Sequence, residues 1–265
     1  MSFMVQHRSQ LRNGIAIVFA FFLSLFIAAS ALLVVLQATA LNEKFLLRQV
    51  ERSDYVGNAI ESINNEFISY GMASGFDEKF FSSVLEKDTV RADVNRMFES
   101  LYQEKTVEVD VQKFADTLYG KLVDNLKERG IIQTPEIQRS VQQLSRTCAI
   151  TYRDGIKMPF MPQLLDLLHK AQKPVLFAMI VAFALAAFTV FFLFSIHPRK
   201  IETVRPILYS LGGALLFLSI PTAVVLLSGK IERLGIMTKP LYCLMTTYFN
   251  HMLYGILIAC AILVV

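Results

Sequence analysis

The residues best suited to metal binding or nucleophilic chemistry are four histidines and three cysteines, and their spacing favours neither use. His7, His169, His197 and His251 are scattered among a polar tail, a stretch before one apolar block and the borders of two others. Cys148, Cys243 and Cys260 form no CxxC pair and no metal-ligand spacing, so a disulfide framework is excluded, while a single Cys148–Cys243 bridge stays compatible with an oxidising compartment. The chain has no phosphate loop, GxGxxG, HExxH or GxSxG. Carboxylates are plentiful, but none is singled out by an apolar setting. The sequence therefore predicts no catalytic residue, no cofactor and no metal, and the chain is expected not to be an enzyme.

Composition directs attention to the elements instead. Of the 265 residues, 54% are hydrophobic and only 18% charged, an apolar excess that asks for lipid as solvent. The charges are concentrated: 18 of the 26 Lys and Arg and 20 of the 22 Asp and Glu lie between Leu41 and Lys173, which marks that segment as a water-soluble domain of net charge −2. Acids and bases alternate along it, so no nucleic-acid footprint is predicted.

Four apolar runs frame the polar segment. Residues 1–13 read as a cytoplasmic tail, 14–40 as the first transmembrane span and 41–173 as an extracytoplasmic helical domain. Spans two, three and four are read at 174–196, 206–228 and 248–265, joined by a cytoplasmic loop at 197–205 and an external loop at 229–247. At 1.5 Å per residue each of the first three exceeds or approaches the roughly 30 Å hydrocarbon core. Pro174 is expected to open the second span as a first-turn proline, and Pro221 to kink the third. The first span is far longer than a signal-peptide core, so Ala38-Thr39-Ala40 is read as part of an uncleaved anchor.

Small residues recur every fourth position: Ala16, Ala20, Ser24 and Ala28; Ala178, Ala182 and Ala186; Ser210 and Ala214; Gly255 and Ala259. Such stripes let helix backbones approach closely and predict a transmembrane bundle or self-association. No Asp, Glu, Lys or Arg falls within the spans, which disfavours an ion-coupled transporter. In the short loops, Arg8, Arg12, Arg199, Lys200 and Arg205 on one side outnumber Lys230, Arg233 and Lys239 on the other, which places 41–173 outside the cytoplasm of a plasma membrane, bacterial by its overall character.

The predicted domain is all-helical, because apolar residues recur at helical spacing. Val56, Ala59, Ile60, Ile63 and Phe67 make one stripe, which Gly71 and Gly75 then loosen. Asp77, Asp88 and Asp110 are candidate N-caps, and Gly130 a left-handed stop. Thr134-Pro135-Glu136 starts a helix whose face carries Ile137, Val141, Leu144, Cys148 and Tyr152. The segment Met158, Pro159, Phe160, Met161, Pro162 breaks it and is a candidate partner or headgroup contact through Met158, Phe160 and Met161.

The order span, external domain, three spans resembles the layout of the permease class that includes cell-division FtsX and the lipoprotein-releasing transporters. That resemblance implies a separate ATPase and a coupling loop at Arg199, Lys200 and Arg205. The stretch ESINNEFISYGMASGFDEKFFSSVLEKDTVRADVNRMFESLY, from Glu61 to Tyr102, is similar to a pattern in membrane proteins of Gram-positive bacteria and implies no particular activity. The expectation is an all-α protein: a four-helix transmembrane bundle with an inserted helical domain that binds a protein partner or senses the envelope, in contact with the lipid bilayer and not with nucleic acid.

Overall fold

The computed structural model describes residues 2–100, 102, 110–157, 161–196, 200–236 and 238–264. Every regular element among them is helical: α1 (Ser2–Ala38), α2 (Glu43–Arg52), α3 (Tyr55–Ala73), α4 (Glu78–Ser82), α5 (Lys87–Ser100), α6 (Val111–Glu128), α7 (Pro135–Ile156), α8 (Met161–Ile196), α9 (Lys200–Leu227) and α10 (Lys239–Val264). Parts of α1, α8, α9 and α10 are long and apolar enough to cross a membrane: Gly14–Ala38, Asp166–Ile196, Val204–Leu227 and Lys239–Val264.

Contacts divide the chain into two compact units. One contains Met1–Phe45, His169–Leu234 and Tyr248–Val265; the other contains Leu46–Leu168 together with Gly235–Thr247.

In the first unit α1 is the hub. Ala28 and Val35 pack with Ala214 and Leu218 of α9 and Ile256 and Cys260 of α10, while Ala16 and Leu23 pack with Leu193 of α8. Small residues make the α1–α9 approach close: a Cβ added to Gly213 would lie 3.1 Å from Ser24 Cβ. Hydroxyls in these helices bond their own backbone. Ser24, Thr189, Ser210 and Thr222 donate to the carbonyls of Phe21, Leu185, Ile207 and Leu218, each at 2.7 Å.

Helix boundaries depart from expectation at the prolines. Pro174 lies inside α8 and Pro206 inside α9, where spans were expected to open, whereas Pro221 lies inside α9 as its place within the third span implied. A proline forfeits one backbone hydrogen bond, which bends a helix more readily than it ends one when helix-forming residues continue on both sides. Likewise α1 begins at Ser2, so the basic tail and the apolar run share one helix.

The second unit is built around aromatic rings. Phe67 of α3 lies 6.2 Å from Phe81 and 6.3 Å from Phe114 between ring centroids, and Tyr55 meets Phe98 edge-on at 5.4 Å. Gly71 makes room for this cluster, because a Cβ there would collide with the ring of the fully buried Phe81. Three helix ends follow their sequence signals: Asp110 accepts from Lys113 N at 2.9 Å, Thr134 accepts from Ile137 N at 3.4 Å, and Gly130 takes φ 69 beyond α6. Two do not. Asp77 stands at the N-cap of α4 without a side-chain bond, and Asp88 lies inside the first turn of α5. The start of α10 also belongs here, with Lys239 Nζ 2.7 Å from Glu61 Oε2.

Two glycines separate packing from propensity. Gly71→Ala should lower stability by about 1–3 kcal/mol through overpacking against Phe81. Gly120→Ala, in the interior of α6 with no atom near the new methyl group, should raise it by roughly 0.5–1 kcal/mol. Thermal unfolding of the two variants in the same mild detergent tests the pair, and a stabilised Gly71→Ala would refute the packing described.

Candidate functional site

The best-formed concavity in the helical unit lies among α5, α6 and α7, with a volume of about 420 Å³. Helical spacing assembles it. Glu86, Thr89, Val90, Asp93, Arg96 and Met97 recur at three- and four-residue intervals along one face leading into and through α5. Lys113, Thr117 and Lys121 are one turn apart on α6 beside Phe114, and Tyr152 closes the cavity from α7. Val84, Leu85, Val90, Met97 and Phe114 give it an apolar floor.

Tyr152 anchors the site. Its ring stacks on Phe114 at 4.3 Å with planes only 4° apart, and its side chain is 1% exposed. The hydroxyl donates to Asp93 Oδ2 at 2.7 Å, while Arg96 Nη2 donates to Asp93 Oδ1 at 2.8 Å. Both carboxylate oxygens are therefore engaged. Burial pushes the Tyr152 hydroxyl well above its ordinary range, and the hydrogen bond to Asp93 and that group's charge add to the effect, with Arg96 opposing. A tyrosine held protonated against a satisfied carboxylate is a tether between α5 and α7, not a proton-transfer pair.

The remaining charges have different commitments. Asp110 is occupied as the α6 cap. The Glu86 carboxylate accepts a long 3.5 Å bond from Thr89 Oγ1. Lys113 and Lys121, eight residues apart on one face of α6, form no ion pair among the described residues. The site thus offers an apolar floor, a fixed Tyr–Asp–Arg wall and two uncommitted cations on one rim. The uncommitted cations stand apart from Glu86 and the capped Asp110, which line the same space.

The residues singled out from sequence lie elsewhere. Ala16, Ala20, Ser24, Ala28, Ala182, Ser210 and Ala214 are buried in the first unit. Ala186, Gly255 and Ala259 are half-buried and Ala178 is exposed. Met158, Phe160 and Arg199 fall outside the described residues; Met161 and Lys200 are the first residues of α8 and α9, and Arg205 is exposed on α9. All three cysteines are free, so the structure contains no Cys148–Cys243 bridge. Cys148 is fully buried, and desolvation pushes its thiol up to about 12. Among the described residues no cluster of His, Cys, Asp and Glu could hold a metal ion.

Sequence reasoning missed the cavity. It read Tyr152 as one more core position, and the only outward signal was Lys113, Thr117 and Lys121 bordering an apolar stripe. No family model, curated protein or solved structure matches the chain.

Tyr152→Phe should cost about 1.5–3 kcal/mol, the range for a hydrogen bond to a charged group, and Asp93→Asn less, because its amide keeps an acceptor for Arg96. The alkaline limb tests the buried acids. Tyr55, Tyr152 and Cys148 all titrate higher in the folded protein than in the unfolded chain, chiefly through burial. Their neutral forms stabilise the fold fully below the unfolded values, and that contribution is lost as pH rises through the folded ones. Unfolding midpoints should therefore fall from about pH 9 upward, less steeply in Cys148→Ala. An unchanged slope in that variant would contradict this account.

Proposed function

We propose that the chain is a multi-pass membrane protein that holds a helical unit, Leu46–Leu168, in water as a binding module for a small amphipathic partner group bearing negative charge. The cavity between Lys113, Lys121 and the apolar floor carries this reading. A catalytic role has no comparable support, because the hydrogen-bonded Tyr152–Asp93–Arg96 set in the cavity is a saturated tether.

Membrane residence is supported by the arrangement of apolar side chains. Many large ones on the long helices are exposed, as with Phe177 and Phe191, each 69% exposed, while Ala16, Ala182 and Ala214 are buried. That distribution suits hydrocarbon outside and close backbone packing inside. The excess of basic residues in the tail and the loop around Arg205 favours an extracytoplasmic location for the helical unit.

The test uses the full chain in its native membrane. A cysteine at exposed Gln143 should react with a membrane-impermeant maleimide in intact cells, while the protein stays in the pellet after alkaline carbonate washing. A photo-crosslinking residue at Thr117, inside the cavity, should yield an adduct of one defined mass, and the same residue at Gln143 should not. Equal capture at both positions, or none at Thr117, would defeat the binding-module reading.

A further inference from the structure

The charges that line the cavity among α5, α6 and α7 do not balance once their commitments are taken into account. Asp93 is engaged by Tyr152 and Arg96, and Asp110 by the first turn of α6. That leaves one acid, the exposed Glu86 with its long bond from Thr89, against two cations, Lys113 and Lys121. Lys121 carries the imbalance furthest. It is half-buried and lines the cavity, yet it forms no ion pair among the described residues. A cation at a partly dry rim is stabilised by an anion beside it, and here one negative charge restores the balance.

The interior narrows what the rest of that anion can be. Both Asp93 oxygens accept, the Tyr152 hydroxyl has its acceptor, and the Thr117 hydroxyl donates to the Lys113 carbonyl at 2.9 Å. Such a wall has little left to offer the amides of a peptide or the hydroxyls of a sugar, and burying those groups without partners is costly. The floor of Val84, Leu85, Val90 and Met97 is aliphatic, with the unbranched Met97 able to adapt to the shape laid on it. A hydrocarbon chain asks for no hydrogen bond. The volume of about 420 Å³ is within the roughly 300–1,000 Å³ of small-molecule sites.

Resting on the binding-module reading above, we infer that the cavity takes an aliphatic monocarboxylate of the fatty-acid class, its chain on the floor and its carboxylate accepting from Lys113 and Lys121. The single charge answers the rim, and the tail without hydrogen-bonding groups answers the floor.

The experiment titrates butyrate, hexanoate and octanoate into the full chain in mild detergent by calorimetry, with the same detergent free of protein as the blank. Each added methylene should tighten binding about fourfold until the cavity is full, the ratio that about 0.8 kcal/mol per buried CH₂ implies. Octylamine, of equal length and opposite charge, should show no saturable binding. Lys121→Gln should weaken octanoate at least fivefold with the thermal midpoint in place, and Lys121→Arg should keep most of the affinity. Octylamine held as tightly as octanoate, octyl phosphate held tenfold more tightly, or unchanged octanoate affinity in a Lys113→Gln, Lys121→Gln double variant overturns the ligand class. Any of these results with the Thr117 photo-crosslinker still capturing one species in the native membrane overturns the ligand class alone. No adduct at Thr117 overturns the binding module and this ligand class with it.

Discussion

The four long helices carry more apolar surface than the chain can cover with itself, and the rest of the architecture answers to that constraint. Within the candidate spans only 28, 11, 22 and 11% of residues are buried in chain order, so most of the large apolar side chains face outward. What the helices bury against one another mixes small residues, Ala16, Ala20, Ser24 and Ala28 on α1 and Ala214 on α9, with a few large ones, Leu23, Leu193 and Leu218. The small residues let the backbones come close, and the large ones fill the space left between them. One close approach is where Gly213 meets Ser24.

The helical unit obeys the opposite rule. Its core is made of large rings, and room for them comes from glycines that remove side chains where helices cross. Gly155 admits Ile63 as Gly71 admits Phe81. Phe114 and Tyr152 belong both to this core and to the candidate cavity, so the cavity floor is as rigid as the packing beneath it. The one strongly polar intrusion, the Tyr152 hydroxyl, costs little because Asp93 accepts it and Arg96 balances Asp93.

Local signals were legible where one residue acts on its own backbone. Thr134-Pro135, Asp110 and Gly130 mark helix ends in the sequence and mark them in the structure. Proline was a poorer guide: Pro174 looks like a helix start, yet α8 passes through it because residues on both sides still favour helix. Asp88 misled for a similar reason, since any carboxylate near a helix start has capping chemistry and only the path of the backbone decides whether it is the cap.

From the sequence alone come the all-helical class, the four apolar runs of membrane-crossing length and the small-residue stripes, because periodicity and hydropathy are properties of a stretch of chain. Tertiary structure decided the rest. It brought Lys239 to Glu61 across 178 positions, Asp93 to Tyr152 across 59, and Gln37 to the same cleft as Phe183. A cavity is a relation among helices that are distant in sequence, and no spacing within one helix specifies which other helix will face it.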